Sequence, residues 1–212
     1  MRSMTFARPA RTLIVGMAAC LAIGLAAGPA LAAATWTIKP GGTMTLTSAT
    51  RTAIKDSATG ATLTCAAANL SGRLKPGSGL GGNGAGSITG GAASRCEGPG
   101  PLPWHITLPG LPWHIDLLAY DASTGLVHAT ISHLEISAAG SGCSFVTDGT
   151  RGGASDGTVK FTYSDRTHQV KTTGGNLHIF TVHGCSGLVA SGDPASLTAS
   201  FTLTPAQTIT SP

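Results

Sequence analysis

The sequence predicts a single all-β domain, an antiparallel sandwich or barrel with two disulfides that follows a cleaved signal peptide. Apolar and polar residues alternate with period two, and turn residues interrupt the alternation about every 8–12 positions. Only 10% of the residues are charged, 42% are apolar, and 30 are glycine. This composition excludes a chain that is disordered through high charge, and a helical bundle would need far more Glu, Lys, Arg and Leu.

The elements follow from this alternation, which recurs along the whole chain after the first 32 residues. The predicted strands are Trp36–Lys39, Thr43–Ala49, Ala61–Cys65, Asn69–Leu74, Gly86–Gly90, Trp104–Leu108, Trp113–Tyr120, Leu126–Ile136, Gly142–Asp148, Thr158–Ser164, Gln169–Thr172, Asn176–His183 and Ser196–Thr204. Turn residues separate them, as at Pro109-Gly110 and Asp156-Gly157. No segment keeps a 3.6-residue period, and no repeat of fixed length indicates a solenoid.

Residues 1–32 have the features of a secretory signal peptide. Three arginines precede the apolar run Leu13–Gly28, and Ala30-Leu31-Ala32 supplies the small residues of a cleavage site. Three of the 13 basic residues leave with this segment and none of the 9 acids does. The mature domain, 33–212, would therefore carry 10 basic and 9 acidic residues, so its charge gives no reason to expect a nucleic-acid partner. We expect a secreted or cell-surface protein without a transmembrane segment in the mature chain.

A second interpretation of this terminus concerns Cys20. Met17-Ala18-Ala19-Cys20 loosely resembles a lipobox, in which the cysteine would be lipidated. The apolar run continues past Cys20 to the cleavage site, which favours release of the protein without lipid.

Four cysteines remain after cleavage, and an even number in an exported chain predicts two disulfides. Three pairings are possible, and we predict Cys65–Cys96 and Cys143–Cys185. The chain has no Cys-x-x-Cys spacing, which argues against a zinc ribbon or a redox site. We expect the disulfides to have a structural role.

Residues 76–94 contain eight glycines in nineteen positions. This composition predicts a surface loop within the domain. The alternative is a glycine-rich strand whose backbone approaches another strand closely.

The candidate binding face comes from a near-duplication, Leu102-Pro103-Trp104-His105-Ile106 and Leu111-Pro112-Trp113-His114-Ile115. Alternation places Trp113, Ile115, Leu117 and Ala119 on one side of their strand and His114, Asp116, Leu118 and Tyr120 on the other. The candidate face comprises Trp104, His105, Trp113, His114, Asp116, Tyr120 and His128. The tryptophans would be either core residues, which the sequence favours, or an exposed platform that stacks on a sugar.

Metal binding and catalysis have less support. His105, His114, His128 and Asp116 have the chemistry of zinc or copper ligands, but the simpler interpretation is a solvent-facing polar sheet, so we expect no metal and no cofactor. The only glutamates are Glu97 and Glu135. Gly153-Ala154-Ser155-Asp156-Gly157 matches a hydrolase nucleophile elbow, but a strand follows it where that motif needs a helix. Ser155 is predicted to be a turn residue, and no catalytic residue is assigned.

Several segments carry a resemblance to a known group of proteins. They are Thr35-Trp36-Thr37-Ile38-Lys39-Pro40-Gly41-Gly42, Gly110-Leu111-Pro112-Trp113, Gly142-Cys143-Ser144, Val146-Thr147-Asp148-Gly149-Thr150, Asp156-Gly157-Thr158-Val159-Lys160, Gly174-Gly175-Asn176-Leu177-His178-Ile179 and Gln207-Thr208-Ile209-Thr210-Ser211-Pro212. With the signal peptide, they make the chain similar to a group of uncharacterised secreted proteins of actinomycete type. The resemblance implies secretion and four cysteines and brings no assigned activity.

The expected function is that of an extracellular binding or envelope-associated module. Its partner would be a cell-envelope polymer or an extracellular protein. The alternatives are a secreted hydrolase and an inhibitor that presents Pro99–Pro103 as a rigid extended loop.

Overall fold

The regular secondary structure in the described part of the chain consists entirely of β-strands. The structure, a computed structural model, describes residues 35–98, 103–140 and 142–212; the predicted signal peptide and Cys20 lie outside these ranges. The strands are β1 (Trp36–Lys39), β2 (Gly42–Ser48), β3 (Thr52–Asp56), β4 (Thr62–Leu74), β5 (Gly77–Leu80), β6 (Gly86–Glu97), β7 (Pro103–Thr107), β8 (Trp113–Asp121), β9 (Leu126–Leu134), β10 (Ile136–Gly140), β11 (Cys143–Asp148), β12 (Gly157–Ser164), β13 (Gln169–Gly175), β14 (His178–His183), β15 (Ala195–Thr198), β16 (Ser200–Thr204) and β17 (Thr208–Thr210).

Eight of these strands close into an antiparallel barrel. Their order is β2, β4, β6, β8, β9, β12, β13 and β16, and β16 pairs again with β2. Alternation along each strand directs apolar side chains inward, as for Met44 and Leu46 on β2 and Val159, Phe161 and Tyr163 on β12. The all-β class is confirmed, and of its two predicted forms the barrel is present.

The two long strands β4 and β6 extend beyond the barrel. The start of β4 pairs with β3, and the end of β6 pairs with β7. A second group of strands follows in the order β14, β11, β10, β7, β6, β4, β3 and β15. A bridge between His178 and Pro194 joins its two ends, and the Ile179 N–H donates to Asp193 O at 2.9 Å. Because β4 and β6 belong to both groups, one apolar interior continues through both.

A small sheet formed by β17, β1 and β5 packs against the other end of the barrel. Trp36 and Ile38 of β1 are buried. Ile209 of β17 lies in the barrel interior beside Met44 and Leu203. The first and last described strands are therefore held side by side.

Both predicted disulfides are confirmed. Cys65 lies directly opposite Cys96 in the pairing of β4 with β6. The second disulfide joins Cys143 of β11 to Cys185, which follows β14. All four cysteines are buried.

The prediction of a surface loop at 76–94 is wrong for most of these residues. Gly77–Leu80 and Gly86–Glu97 are strands, and only the short connection between them is a turn. Glycine is required where β4 and β6 lie closest together. A Cβ at Gly72 of β4 or at Gly86 of β6 would collide with the main chain of the other strand. The alternative of glycine-rich strand pairing describes this segment.

A search of the described ranges for a helix that is long and apolar enough to cross a membrane finds none.

Candidate functional site

The barrel wall contains a gap beside β6, and we call the unpaired edge of this strand over Thr89–Arg95 the β6 edge. On one side β6 pairs with β4 along its length. On its other side it pairs with β8 only at Gly86–Ile88 and with β7 only at Cys96 and Glu97. No described residue pairs with the stretch in between. The gap therefore leaves a row of backbone donors and acceptors without a ladder partner.

The course of the chain opposite the gap explains why it stays open. After Trp104, β7 turns to pair with β10, so that Ile106 lies opposite Ala138. The connection from β7 to β8 contains Pro109 and Pro112, which have no N–H to donate to a neighbouring strand. This connection runs past the β6 edge without entering the ladder.

An apolar cavity of about 90 Å³ lies behind this wall, and we call it the central cavity. Ala92 and Ala93 of β6 form part of its lining, and Ile106, Leu108 and Trp113 line it from β7, the connection and β8 on the other side of the gap. The remaining lining residues are Leu46, Thr52, Ala53, Ile54, Leu63, Cys65, Ala68, Leu70, Ile131, Leu134, Ile136, Val159, Phe161, Val170, Thr172, Leu197, Ala199 and Phe201. Thr52 and Thr172 supply the only hydroxyl groups in this set, so the cavity offers apolar contact and little hydrogen bonding.

Both tryptophans of the candidate binding face are core residues. Trp113 is 2% exposed, and its indole N–H donates to Pro109 O at 3.3 Å. Trp104 is 5% exposed and packs against Phe145, with 5.7 Å between the ring centroids. The predicted core role is confirmed, and neither ring is available to stack on a sugar.

Three polar residues of the candidate face do lie outside the barrel. His114 and His128 are exposed on β8 and β9. The His114 ring lies 4.8 Å from the ring of His133. The Asp116 carboxylate accepts the Gly84 N–H at 2.6 Å and the Ser132 hydroxyl at 3.5 Å. Asp116 thus fixes the turn between β5 and β6 in place.

The other two polar residues are separated from this group. His105 is exposed on β7, opposite Ala139 of β10. Tyr120 was expected to point outward, and it packs against the core instead. The cause is a bulge in β8 between Leu117 and Ala119, which shifts the alternation by one residue, exposes Ala119 and turns Tyr120 inward. The seven predicted residues therefore do not form one face.

No group of three or more His, Cys, Asp or Glu side chains with metal-binding geometry occurs within residues 35–98, 103–140 and 142–212. Of the four residues considered as metal ligands, His105 lies on β7, which β6 separates from β8 and β9, where the other three lie.

Ser155 lies in a turn that Asp148 organises. The buried Asp148 carboxylate accepts the N–H groups of Gly149 at 2.7 Å, Ser155 at 3.1 Å and Gly157 at 3.2 Å. Ser155 has a left-handed φ of 48° and donates its hydroxyl to Glu135 at 3.0 Å. Among the described residues no histidine hydrogen-bonds with Ser155 or Glu135. Ser155 is a turn residue, as its sequence context predicts, and its contacts hold the loop between β11 and β12.

One polar contact inside the barrel was missed by sequence reasoning. Tyr163 donates its hydroxyl to Gln207 O at 2.6 Å, and burial raises the pKa of Tyr163 to about 12. Burial also raises the pKa of Asp165, which accepts the Ile209 N–H at 3.3 Å. Nothing in the sequence indicated that Tyr163 has a hydrogen-bond partner 44 residues later.

A scan of the chain against protein-family models finds no match, and searches for similar curated proteins and similar solved structures find none either.

Proposed function

We propose that this chain is a secreted binding protein that takes up a small apolar ligand in the central cavity. The observation that carries the proposal is the cavity itself, about 90 Å³ of space behind the barrel wall with an almost wholly apolar lining. A ligand recognised there is a hydrocarbon or an apolar group without strong hydrogen-bonding requirements.

Leaving this space empty destabilises the folded protein. Protein interiors are packed as densely as organic crystals and contain few voids larger than a water molecule. At about 24 cal/mol per Å³, a cavity of this size destabilises the folded state by about 2 kcal/mol, which a bound apolar molecule would offset. A related space of about 30 Å³ shares Leu46, Ile131 and Phe161 with the central cavity, so the apolar region continues along the barrel.

Xenon and benzene are suitable probes, because apolar cavities in proteins take up both. We expect each probe to raise the unfolding temperature and to shift the methyl NMR signals of the cavity-lining residues. Ala68→Val fills part of the cavity and should weaken the response to both probes. Ala119→Val makes the same change on the exposed surface of β8 and should leave it intact.

A probe response that is the same in Ala68→Val and in the unmodified protein would contradict this function. So would methyl shifts confined to the outer surface of the barrel.

The secreted state is a separate part of the proposal. The signal-type sequence at 1–32 and the two disulfides support it. We expect the protein in the culture medium to begin at Ala33 or an adjacent residue, which N-terminal sequencing will show. A chain that begins at a lipidated Cys20 would instead place it on a membrane.

A sugar-stacking mode of envelope attachment receives no support from the tryptophans. The chain has three, and Trp36, Trp104 and Trp113 are all buried. An enzymatic role is not proposed, because Ser155 and Glu135 contact each other without an imidazole partner among the described residues. The loop considered for an inhibitor, Pro99–Pro103, lies outside the described residues except for Pro103.

A further inference from the structure

We propose that His114 and His133 form a surface site for one divalent copper ion. Both side chains are exposed on the outside of the barrel, on β8 and β9. Neither residue lines the central cavity, so the site is independent of the proposed function.

The two imidazole rings are close enough to share one ion. Their centroids lie 4.8 Å apart. A metal bound at about 2.0 Å from one nitrogen of each ring would lie about 3.2 Å from each centroid. Two centroids at the observed separation then subtend an angle of about 100° at the metal, which lies between the angles of square-planar and tetrahedral sites.

Both rings are free to turn toward a shared ion. No described residue forms a hydrogen bond with a ring nitrogen of His114 or His133. The rings are tilted by 55° to each other, and the χ2 torsion of histidine has broad minima. Rotation about χ2 leaves the centroids nearly in place and displaces no packed neighbour, because both side chains are exposed.

A bulge in β9 brings His133 to the outer surface beside His114. Ser132 and Leu134 pair with successive residues of β12, and His133 between them is the extra residue, with no partner there. Its φ of 62° is left-handed, which is uncommon for a residue other than glycine. Ser132 lies opposite His114 and faces outward, so regular alternation would direct His133 to the interior. The bulge directs it outward instead, next to His114.

The backbone that carries both rings is fixed by buried neighbours. Leu134 is buried directly after His133, and Trp113 is buried directly before His114. Gly110 lies beside the His133 main-chain oxygen, since a Cβ at Gly110 would be 3.7 Å from it. The two ligands are therefore held together before an ion binds, which lowers the entropic cost of binding.

The charge next to the pair favours a cation. Asp116 lies two residues after His114, and its carboxylate accepts the Ser132 hydroxyl at 3.5 Å. Lys160, on the neighbouring strand β12, is paired with Thr130, two residues before Ser132 on β9. An acidic group therefore adjoins the ladder position of His114, and its charge adds to the attraction for a metal ion.

The number and type of ligands identify the ion. Among the divalent first-row metals, Cu²⁺ has the highest affinity for nitrogen ligands, and it accepts tetragonal sites of nitrogen and oxygen. Two imidazoles with water in the remaining positions meet this requirement. A structural zinc site, in contrast, uses four protein ligands, and a catalytic one uses three.

The test titrates the purified protein, with both disulfides formed, with copper(II) chloride in a buffer that contains glycine. Glycine competes for weakly held copper and so removes binding to single histidines. We expect one Cu²⁺ ion to remain bound, with an electron paramagnetic resonance signal that shows two imidazole nitrogens. The NMR signals of the His114 and His133 rings should broaden before those of the other histidines.

Three variants locate the site. His133→Asn removes one imidazole and keeps a residue that tolerates the left-handed backbone, and His114→Gln removes the other imidazole. Each should weaken Cu²⁺ binding about tenfold or more, because a single imidazole cannot chelate. His128→Gln changes an equally exposed histidine further along β9 and should leave binding unchanged. Circular dichroism will verify that the variants fold, and His114→Gln, at a regular strand position, gives the same comparison if His133→Asn does not.

Equal copper affinity in His114→Gln and His128→Gln would overturn the site, and so would a resonance signal from a single imidazole. Zn²⁺ that bound as tightly as Cu²⁺ would overturn the assignment to copper. The benzene and xenon measurements contain no metal. Loss of the copper site alongside an intact response to these probes would therefore leave the cavity function in place.

Discussion

The Tyr163 hydroxyl donates to the main-chain oxygen of Gln207 at 2.6 Å and accepts the Gln207 N–H at 3.2 Å. Both residues are about 1% exposed. The Gln207 side chain accepts the Gly41 N–H at 2.8 Å. Tyr163 on the barrel therefore holds the segment that joins β16 to β17, and through Gln207 it holds the turn between β1 and β2.

Tyr163→Phe should destabilise the protein by about 1–3 kcal/mol, because it leaves buried main-chain groups of Gln207 without a partner. Urea unfolding followed by circular dichroism measures this loss. Tyr120→Phe is the matched control, since the Tyr120 hydroxyl makes no hydrogen bond with the described residues and its removal should have little effect. Similar losses in the two variants would show that the Gln207 contact contributes nothing.

Tyr163 should lose its proton only at strongly alkaline pH. Burial raises the pKa of Tyr163 from 10.0 to about 12. Between pH 10 and 12 the unfolded chain releases a proton that the folded protein retains, so the free energy of unfolding falls as the pH rises through this window. Phenolate absorbance should show the late titration, and Tyr163→Phe should abolish it. A Tyr163→Phe variant that lost phenolate absorbance near pH 10 rather than near pH 12 would contradict the prediction.

Local alternation was sufficient to predict most strands and the burial of Trp104 and Trp113, because an inward residue at every second position follows from strand geometry. Alternation failed at Tyr120, because a bulge shifts the pattern there and no residue type in the sequence indicates the bulge. It also failed along β6, since glycine and alanine give no apolar period although their backbone pairs closely with β4. Both Cys pairs were predicted, but the gap beside β6 depends on contacts between distant strands that no local pattern contains.

Asp148→Ala should cost about 3 kcal/mol of stability. The substitution removes the acceptor of three N–H groups, of which those of Gly149 and Gly157 are buried and have no access to water. Asp121→Ala is the control: Asp121 also accepts turn N–H groups, but at the surface, where water replaces it. Asp121→Ala should reduce the free energy of unfolding by only a small fraction of the loss expected for Asp148→Ala. Equal losses in thermal unfolding would mean that the burial of Asp148 does not matter.

The two disulfides should differ in which part of the chain they stabilise locally. On the chain-entropy model each stabilises the fold by about 4 kcal/mol, for sequence separations of 31 and 42 residues. Cys65 and Cys96 lie in strands that are paired anyway, whereas Cys185 anchors the exposed segment that follows β14. The double variant Cys143→Ala/Cys185→Ala should therefore speed amide exchange at 184–193, and Cys65→Ala/Cys96→Ala should not. Equal acceleration in both would contradict this assignment.

Trp113→Ala should destabilise the protein by about 3–5 kcal/mol, because the ring is buried in the wall of the central cavity. Leu118→Ala, at a side chain that is 55% exposed on the same strand, should change stability by less than about 0.5 kcal/mol. Thermal unfolding compares the two. Trp113→Phe keeps an aromatic ring in the interior and should remain folded, which allows retention on cell-wall glycan to be measured on folded protein. We expect that retention to equal that of the unmodified protein, since Trp113 does not reach the surface. A folded Trp113→Phe variant that lost glycan retention would show that this ring contacts a sugar, against its position in the barrel wall.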